Sequence, residues 1–549
     1  MNDADTPAAP ADLRGQMITE AIDVTMVSLR NHGNVVGATQ ERAIAQAVAS
    51  MIDVALGLRQ GPLAIGLSTG FGKTTAMHSI IKILRRHRPD ISVAILGQKI
   101  EELEVSYQPL IAGAHPISPG DIDVLHTQPG NAVVPTLRQV DPVLGSERPI
   151  LLATHEQFQR NIDSPGAFSY GGRQRDLIVY DETLRLGRPV SVSPVDLRST
   201  ITAVTSAIEQ SGSDDHNDLR RQLELLDDWL EACLRWEGTS LTSFSFTVMS
   251  AEEVLERVQG LVGRQRLVGF RDFLYNHKGQ WRPLNLDDGE DNRALMKVPS
   301  YPAELLKRLV NLDASYPIRA SLRRMREKGN GRLQPFHYVG PSQDGGSSVG
   351  KRYNSTSIHL LSSRGSGRTW AEKLFKDQEV LESLGKEVAQ VVGCYEDECG
   401  LIWTHKPRAP QNLDVAQSVR DQLQALGVLR APDVSSETPL VYRTHGQETA
   451  SNAFSHCTYA IFLGATERTP IDLVVEYLHD CGDPCAEVDL ALARSLIVED
   501  VAARFYQGMS RTAMRRCWVD DEGHTQASPT NIYIITRHVS GVVAPPFAF

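Results

Sequence analysis

The stretch Leu67-Ser-Thr-Gly-Phe-Gly-Lys-Thr-Thr75 lies between an apolar run, Leu63-Ala-Ile65, and a helix-like segment from Ala76 to Leu84. A glycine-rich turn between a buried strand and a helix is the context of a phosphate-binding loop. Its glycines let several backbone N–H groups converge on one point, where the start of the helix adds partial positive charge. The stretch therefore predicts a nucleoside triphosphate site; the alternative is a glycine-rich turn with a solvated lysine.

The residue types in this loop divide the work of holding a nucleotide. Lys73 can reach the β- and γ-phosphates, and the Thr74 hydroxyl can hold Mg²⁺. Leu67 stands where the longer form of the loop, G-x-x-x-x-G-K-[ST], has its first glycine. The predicted nucleotide-binding residues are Thr69, Gly70, Gly72, Lys73, Thr74 and Thr75.

Composition limits the class of protein. The 549 residues are too many for one core and predict about three folded units. The chain is 41% apolar and 22% charged, as in globular proteins, and no apolar run is long enough to predict a membrane segment. Seven scattered cysteines favour free thiols in a cytoplasmic protein. A net charge of −11 means that any nucleic-acid contact must come from a local groove.

Strand-like and helix-like segments alternate in two regions, which predicts an α/β protein with parallel sheets. Residues 1–15 are expected to be a disordered leader, and residues 16–195 plus 300–335 a first domain. Between them, residues 196–299 are expected to be a helical insertion, because leucines recur at helical spacing from Leu219 to Leu230 and because Ser250 and Glu253 form a capping box. A Gly/Ser-rich linker, 336–352, leads to a second domain, 353–549.

The run Asp176-Leu-Ile-Val-Tyr-Asp181-Glu182 is an apolar strand that ends in two carboxylates. Asp181 is predicted to hold Mg²⁺ together with Thr74, and Glu182 to orient and deprotonate an attacking water. A solvated strand end is the alternative, and the phosphate-binding loop upstream favours the functional interpretation.

These motifs, with others in the same order from about residue 35 to 537, resemble those of superfamily two DEAD/DEAH-like nucleic-acid helicases. The resemblance implies two RecA-like P-loop domains, the cofactors ATP and Mg²⁺, and hydrolysis in the cleft between the domains. Thr39-Gln40 resembles an adenine-binding Q motif, although a helix cap explains it as well. The strand end Asp176 to Glu182 resembles motif two of that family, and Leu312-Asp-Ala-Ser315 resembles motif three. Gln507-Gly-Met-Ser-Arg511-Thr-Ala-Met-Arg515 resembles motif six, in which Gln507 contacts nucleotide or water and Arg511 or Arg515 acts as the arginine finger.

The same resemblance implies which residues contact nucleic acid, although ordinary capping explains some of these positions equally well. The residues that it indicates are Gln98, Lys99, Thr154, His155, Thr404, Gly446 and Asn452. Together, the motifs predict an ATP-dependent helicase or translocase, with DNA slightly favoured over RNA as its track. The insertion is a candidate site for a protein partner. The alternatives are a translocase that does not unwind, or a nucleotide-gated component of a phage-defence or mobile-element complex.

Overall fold

A computed structural model describes most of the chain. The described residues are 11–59, 62–126, 137–140, 146–161, 165–185, 189–235, 241–262, 267–286, 293–298, 303–316, 318–319, 336–340, 350–362, 378–395, 398–407, 414–428, 440–446, 454–464, 468–481 and 483–536.

The first domain begins with two helices and continues as alternating strands and helices. Its elements up to the insertion are α1 (Ala11–Asn31), α2 (Ala38–Ala55), β1 (Leu63–Ile65), α3 (Lys73–His87), β2 (Val93–Gly97), α4 (Ile100–Ile111), β3 (Ile122–Leu125), β4 (Arg138–Gln139), β5 (Ile150–Thr154), α5 (His155–Asn161), β6 (Ser169–Tyr170), β7 (Arg173–Gln174) and β8 (Leu177–Asp181). After the insertion come α10 (Ala303–Leu306), β12 (Leu309–Leu312) and β13 (His337–Val339).

These strands form an eight-stranded sheet in the order β13-β1-β12-β8-β2-β5-β3-β4, and every pairing in it is parallel. Side chains alternate between its two faces, as strand geometry requires. Val93, Ile95 and Val179 pack with helices α1 to α3, whereas Ala94 and Ile178 pack on the opposite face. Burial of both faces explains why the strands are continuous apolar runs. The parallel order of the strands places the carboxyl ends of β1, β12 and β8 side by side.

The insertion contains an antiparallel sheet as well as the predicted helices. Its elements are β9 (Ser191–Val192), α6 (Pro194–Ser211), α7 (Asn217–Arg235), α8 (Ala251–Val262), α9 (Val268–Asn276), β10 (Trp281–Asn285) and β11 (Arg293–Lys297). The predicted capping box is present at the start of α8, where the Glu253 N–H donates to Ser250 Oγ and the Ser250 N–H donates to Glu253 Oε2. The expectation of a purely helical insertion is corrected by the sheet β10-β11-β9. Pro283 lies on its edge strand, where a missing N–H is tolerated.

The second domain is a smaller parallel sheet covered by helices. Its elements are β14 (Thr356–Ser362), α11 (Gln378–Val392), β15 (Gly400–Thr404), α12 (Val415–Ala425), β16 (Leu440–Thr444), β17 (Tyr459–Leu463), α13 (Pro470–Cys481), α14 (Leu490–Met509), β18 (Cys517–Val519), β19 (Thr525–Ala527) and β20 (Thr530–Thr536). The sheet order is β14-β20-β17-β15-β16, all parallel, and β18 and β19 form a separate antiparallel pair. The predicted fold class, two α/β units with parallel sheets, is therefore confirmed.

Two predicted boundaries differ from the structure. Residues 11–15, assigned to the leader, are the first part of helix α1, and residues 337–339, assigned to the linker, form the edge strand β13 of the first sheet. Most of the predicted linker, 341–349, lies outside the described residues. No helix in the described part of the chain is long and apolar enough to cross a membrane.

The insertion also packs on the second domain. Leu284 and Met296, from β10 and β11, share a buried apolar cluster with Val474 and Leu478 of α13. Arg282 donates through Nη1 to the carbonyl oxygen of Ala486, 2.8 Å away. The insertion therefore belongs to the first domain in sequence and also packs against the second domain.

Candidate active site

The phosphate-binding loop has the backbone that its sequence predicts. Gly70 and Gly72 adopt φ values of 88° and 89°, in the left-handed region that strongly favours glycine. Gly72 directly precedes helix α3, so the first N–H groups of that helix lie beside the loop. Gly70 faces the second domain closely: a Cβ atom there would lie 1.9 Å from the backbone oxygen of Arg515. Any side chain at position 70 would force the two domains apart at this point.

Lys73 lies inside the loop that it is predicted to serve. Its Nζ donates to the backbone oxygens of Leu67, at 2.5 Å, and Ser68, at 3.4 Å. Burial lowers the pKa of Lys73 to about 8, and the carboxylate of Asp181 opposes that shift. The ammonium thus has a desolvated site in which its attraction to a phosphate would be strong.

Thr74 and Asp181 meet at the edge of the sheet. The Thr74 hydroxyl donates to Asp181 Oδ2 at 3.2 Å. Burial, and then the neighbouring charge of Glu182, raise the pKa of Asp181 to about 6, while Lys73 and the Thr74 hydrogen bond lower it. A hydroxyl and a half-buried carboxylate side by side are oxygen donors of the kind that Mg²⁺ prefers. These two side chains therefore fit the predicted metal site.

Glu182 has a strained backbone. Its φ is 75°, one of two positive values among the described non-glycine residues, and such conformations concentrate at functional sites. The buried Asn311 of β12 stabilises it: Asn311 Nδ2 donates to the backbone oxygen of Glu182 at 2.6 Å and to that of Tyr180 at 3.3 Å. The Glu182 N–H in turn donates to the Leu312 oxygen. Neighbouring β12 thus fixes the turn that carries the predicted base.

The second domain brings its predicted residues to the same place. Arg511, whose side chain is 8% exposed, donates through Nη2 to Glu182 Oε1 at 2.8 Å. Gln507 donates through Nε2 to the hydroxyl of Thr183 at 3.2 Å. Burial, and then the nearby charge of Arg511, lower the pKa of Arg515 to about 10. Both arginines of the predicted motif six therefore face the first-domain carboxylates, and Arg511 makes the direct contact.

Lys351 contacts both the phosphate-binding loop of the first domain and the turn near Arg515 in the second domain. Its buried Nζ donates to the backbone oxygens of Thr69 in the loop, at 3.3 Å, and of Met514, at 2.5 Å, and Arg515, at 3.1 Å. Burial lowers its pKa. One ammonium group thus ties the phosphate-binding loop to the turn that carries the arginines.

One cavity of about 880 Å³ contains these groups, a volume in the range of ligand pockets (~300–1,000 Å³). Both domains line it: Thr69, Gly70, Gly72, Lys73, Thr74, Thr75, Asp181, Glu182, Gln507, Arg511 and Arg515 all contribute. Glu102 of α4 adds a third carboxyl group, and burial followed by repulsion from Glu182 raises its pKa to about 7.

Gln40 takes a different position from the one that a Q motif implies. It is fully buried below the loop, where its Nε2 lies 3.4 Å from the Phe71 oxygen, and it is not among the residues that line the cavity. Helix α2 begins at Ala38 with Gly37 as its N-cap, so the capping explanation of Thr39 is not supported either. Gln40 supports the loop, and a contact of Gln40 with the nucleotide base stays a prediction.

The predicted nucleic-acid residues are spread over several environments. Gln98 and Gly446 are exposed, and Lys99 is half-buried. Thr154 and His155 are buried: His155 stacks on Tyr180 and bonds the Leu96 backbone oxygen, and burial lowers its pKa to about 3. Thr404 is fully buried, and Asn452 lies outside the described residues. Nucleic-acid contact stays a prediction for all seven.

Asn311, Lys351 and Glu102 are the site residues that sequence analysis missed. Asn311 lies in a run that is otherwise apolar, Leu309-Val-Asn-Leu312, and a polar residue in a buried strand is the signal that could have identified it. Lys351 and Glu102 carry no local signal, because their roles depend on contacts far away in the chain.

A cluster of ion pairs around the buried carboxylates of Glu476 and Asp500 continues the domain contact behind the site. Arg185, just after motif two, lies 3.3 Å from Glu476 Oε1 of α13, and Arg468 lies 2.6 Å from Glu476 Oε2. Arg468 also lies 3.9 Å from Oδ1 of Asp500 on α14, and Asp500 pairs with Arg504 at 3.0 Å. Helix α14 leads directly to Gln507 and Arg511, so this cluster connects the end of motif two to the helix of motif six.

No protein-family model matches the chain, and no curated protein matches it. Among solved structures it is similar to S. cerevisiae Dbp5 bound to RNA and ADP BeF3, with 10% identity, 98% of this chain and 89% of that chain covered, and a TM-score of 0.38. A variant of the same protein bound to RNA and ADP BeF3 is 9% identical, with 92% of this chain and 89% of that chain covered and a TM-score of 0.38. The same variant bound to Gle1 and IP6 is 9% identical, with 97% of this chain and 89% of that chain covered and a TM-score of 0.37.

At this identity and TM-score the likeness is too low to support a conclusion, so the fold is assigned from the chain's own topology. Two parallel sheets, a phosphate-binding loop between β1 and α3, and a cleft that both domains line are the features that carry the assignment. The chain has the two-domain RecA-like fold that its sequence predicts.

Proposed function

We propose that the chain is an ATP hydrolase that couples turnover in the cleft between its domains to movement along nucleic acid. The observation that carries this proposal is the 2.8 Å contact of Arg511 with Glu182. It brings an arginine of one domain onto the predicted base of the other, in the cavity that also holds Lys73. Such an arginine can stabilise the charge that develops during phosphoryl transfer, an effect on the order of 10³-fold or more.

The contacts suggest how each residue acts when ATP binds. The loop N–H groups and Lys73 would hold the phosphates, and Lys73 would exchange its bonds to the Leu67 and Ser68 oxygens for bonds to phosphate oxygens. The γ-phosphate would also compete with Glu182 for Arg511. Once Arg511 moves to the phosphate, Glu182 can accept a proton from the attacking water.

Thr74 and Asp181 would hold Mg²⁺ through their adjacent oxygen atoms. When bound there, Mg²⁺ would neutralise negative charge on the phosphates. A cation held there would favour the charged form of Asp181 and so oppose the rise in pKa that burial causes.

Domain closure would follow from the same contacts. Gln507 and Arg511 reach the first domain from the end of α14, and the Arg185–Glu476 pair links the domains behind them. Loss of the γ-phosphate would remove one of the groups that holds the cleft together, and the domains would shift relative to each other.

The track is nucleic acid in this proposal, with DNA favoured on the forms of motifs two and three. The net charge of −11 and the exposed positions of Gln98 and Gly446 favour a local contact across the tops of the sheets. The seven free cysteines favour a cytoplasmic location. The insertion remains our candidate for contact with a protein partner.

The test is ATP binding and turnover in two variants. Lys73→Ala should abolish both, whereas Glu182→Gln should abolish turnover and keep binding, because it removes the base and spares the phosphate-binding loop and Asp181. Lys386→Ala serves as a folded control, since this exposed lysine of α11 does not line the cavity. Full turnover by either site variant would contradict the assignment of the site.

A further inference from the structure

Two cysteines and a histidine, residue types that can bind metals, lie together in the second domain and outside the lining of the nucleotide cavity. Cys399 directly precedes β15, and His456 and Cys457 precede β17, the neighbouring parallel strand. The two sulfur atoms are 3.1 Å apart, and one ligand atom from each of the three residues lies within 4.8 Å of the other two. It is the one such group of histidine, cysteine and acidic side chains that the described residues form.

The 3.1 Å distance between the sulfur atoms lies between that of two thiolates on one zinc ion and that of a disulfide. Two thiolates on one tetrahedral Zn²⁺, with Zn–S bonds of ~2.3 Å, are ~3.8 Å apart. A disulfide requires ~2.0 Å. The present distance is closer to the zinc value, so the smaller movement leads to a shared metal ion.

The imidazole favours the metal more strongly. His456 is exposed, yet one of its ring nitrogens lies within 4.8 Å of both sulfurs, one half-buried and one buried. A disulfide has no use for a third donor, whereas two thiolates and one imidazole are a common ligand set for Zn²⁺. The exposed side of the cluster leaves room for a fourth ligand from solvent.

We propose that Cys399, His456 and Cys457 bind Zn²⁺, with an open fourth coordination position that faces solvent. Zinc binds thiolates and not thiols, so binding displaces protons and zinc affinity falls as the pH is lowered. This binding does not depend on the function proposed above.

A backbone contact connects the cluster to the nucleotide site. The Ala513 N–H donates to the Cys457 backbone oxygen at 2.8 Å, and Ala513 lies in the short 3₁₀ turn between Arg511 and Arg515. A metal ion that holds Cys457 in place would therefore also restrain the backbone of the turn near Arg511 and Arg515, through the Ala513 hydrogen bond. This consequence, unlike the binding itself, rests on the proposed function.

Metal content of the purified full-length protein tests the binding. After loading with Zn²⁺ under reducing conditions and dialysis, we expect one zinc per chain by mass spectrometry. Replacement of zinc by Co²⁺ should give the visible absorption of a tetrahedral site and a thiolate charge-transfer band. Cys399→Ser and Cys457→Ser should lose both signals, and the exposed His456→Ala, which is not expected to disturb folding, should reduce affinity at least tenfold.

Matched controls are Cys394→Ser and Cys485→Ser, exposed thiols outside the cluster, which should retain the metal and its spectrum. Three results would overturn the proposal: no zinc retained by the wild type, equal loss in the control variants, or a Cys399–Cys457 disulfide without metal in the protein before reduction. If zinc binds and its removal leaves ATP turnover unchanged, only the link to the arginine turn is refuted. If zinc binds and the protein lacks turnover altogether, the failure lies in the proposed function.

Discussion

Asn311→Ala should separate catalysis from nucleotide binding. Asn311 donates two hydrogen bonds to the strand end that carries the base, one of them 2.6 Å long to the Glu182 oxygen. Each bond contributes ~1 kcal/mol, so the variant should lose ~2 kcal/mol of unfolding free energy. At ~2–4 °C per kcal/mol for a domain of this size, its melting temperature should fall by about 4–8 °C.

The effect on turnover follows from the strain at Glu182. A non-glycine residue with φ near 75° costs on the order of 1–3 kcal/mol, and Asn311 offsets part of that cost. Without it the turn can relax and move the carboxylate from its position. At 1.36 kcal/mol per tenfold in rate, we expect kcat to fall by roughly 10- to 100-fold. Affinity for ATP should stay within about threefold, because the Asn311 amide donates to the backbone oxygens of Tyr180 and Glu182 and not to the phosphate-binding loop.

The assay is steady-state ATP turnover together with fluorescent nucleotide binding and thermal unfolding of the same preparation. Asn276→Ala is the matched control: this asparagine is on α9 of the insertion and donates within its own helix. Unchanged turnover in a folded Asn311→Ala protein would refute the inference that the amide positions Glu182. Parallel loss of binding and turnover would show that Asn311 acts on the whole site.

Three further predictions concern the contact between the domains and the predicted Mg²⁺ site at Asp181. Lys351→Met should weaken the joint between the phosphate-binding loop and the arginine turn and reduce turnover at least tenfold; wild-type turnover would show that the joint is dispensable. In a double-mutant cycle for turnover, Arg185→Ala and Glu476→Gln should show a coupling energy of about 1 kcal/mol. The value is small because the Arg185 side chain is 40% exposed. Additive effects of the two substitutions would show that this ion pair does not link the domains during turnover. Since the pKa of Asp181 is raised to about 6, this carboxyl is charged above that pH and protonated below it. Mg²⁺-dependent nucleotide binding should therefore weaken as the pH drops through about 6, and a flat profile would contradict the assignment of Asp181 to the metal.

The local parts of the fold could be predicted from the sequence. The loop at 67–75 has its strand, its left-handed glycines and its helix, because these depend on neighbouring residues alone. The capping box of Ser250 and Glu253 is local in the same sense. Residues at the ends of buried parallel strands, such as Asp181, could be placed at the sheet edge because strand direction determines where they lie.

Features that depend on distant contacts could not be predicted. The strands β10 and β11 pack partly on α13 of the second domain, about 180 residues further along the chain, so their own sequence carries little signal. The burial of His155 depends on its stacking against Tyr180, which a strand-end motif does not indicate. Cys399 and Cys457 are 58 residues apart and show no metal-binding spacing, yet neighbouring strands bring their sulfurs together.

The steady-state rate of ATP hydrolysis, with and without single-stranded DNA, duplex DNA and RNA, tests the central claim most directly. The Glu182→Gln variant is the blank, because it removes the base that Arg511 contacts. We predict turnover that one of these nucleic acids stimulates several-fold and that the variant lacks. Hydrolysis that no nucleic acid stimulates, or that the variant retains, would contradict the claim that this cleft drives movement along a nucleic-acid strand.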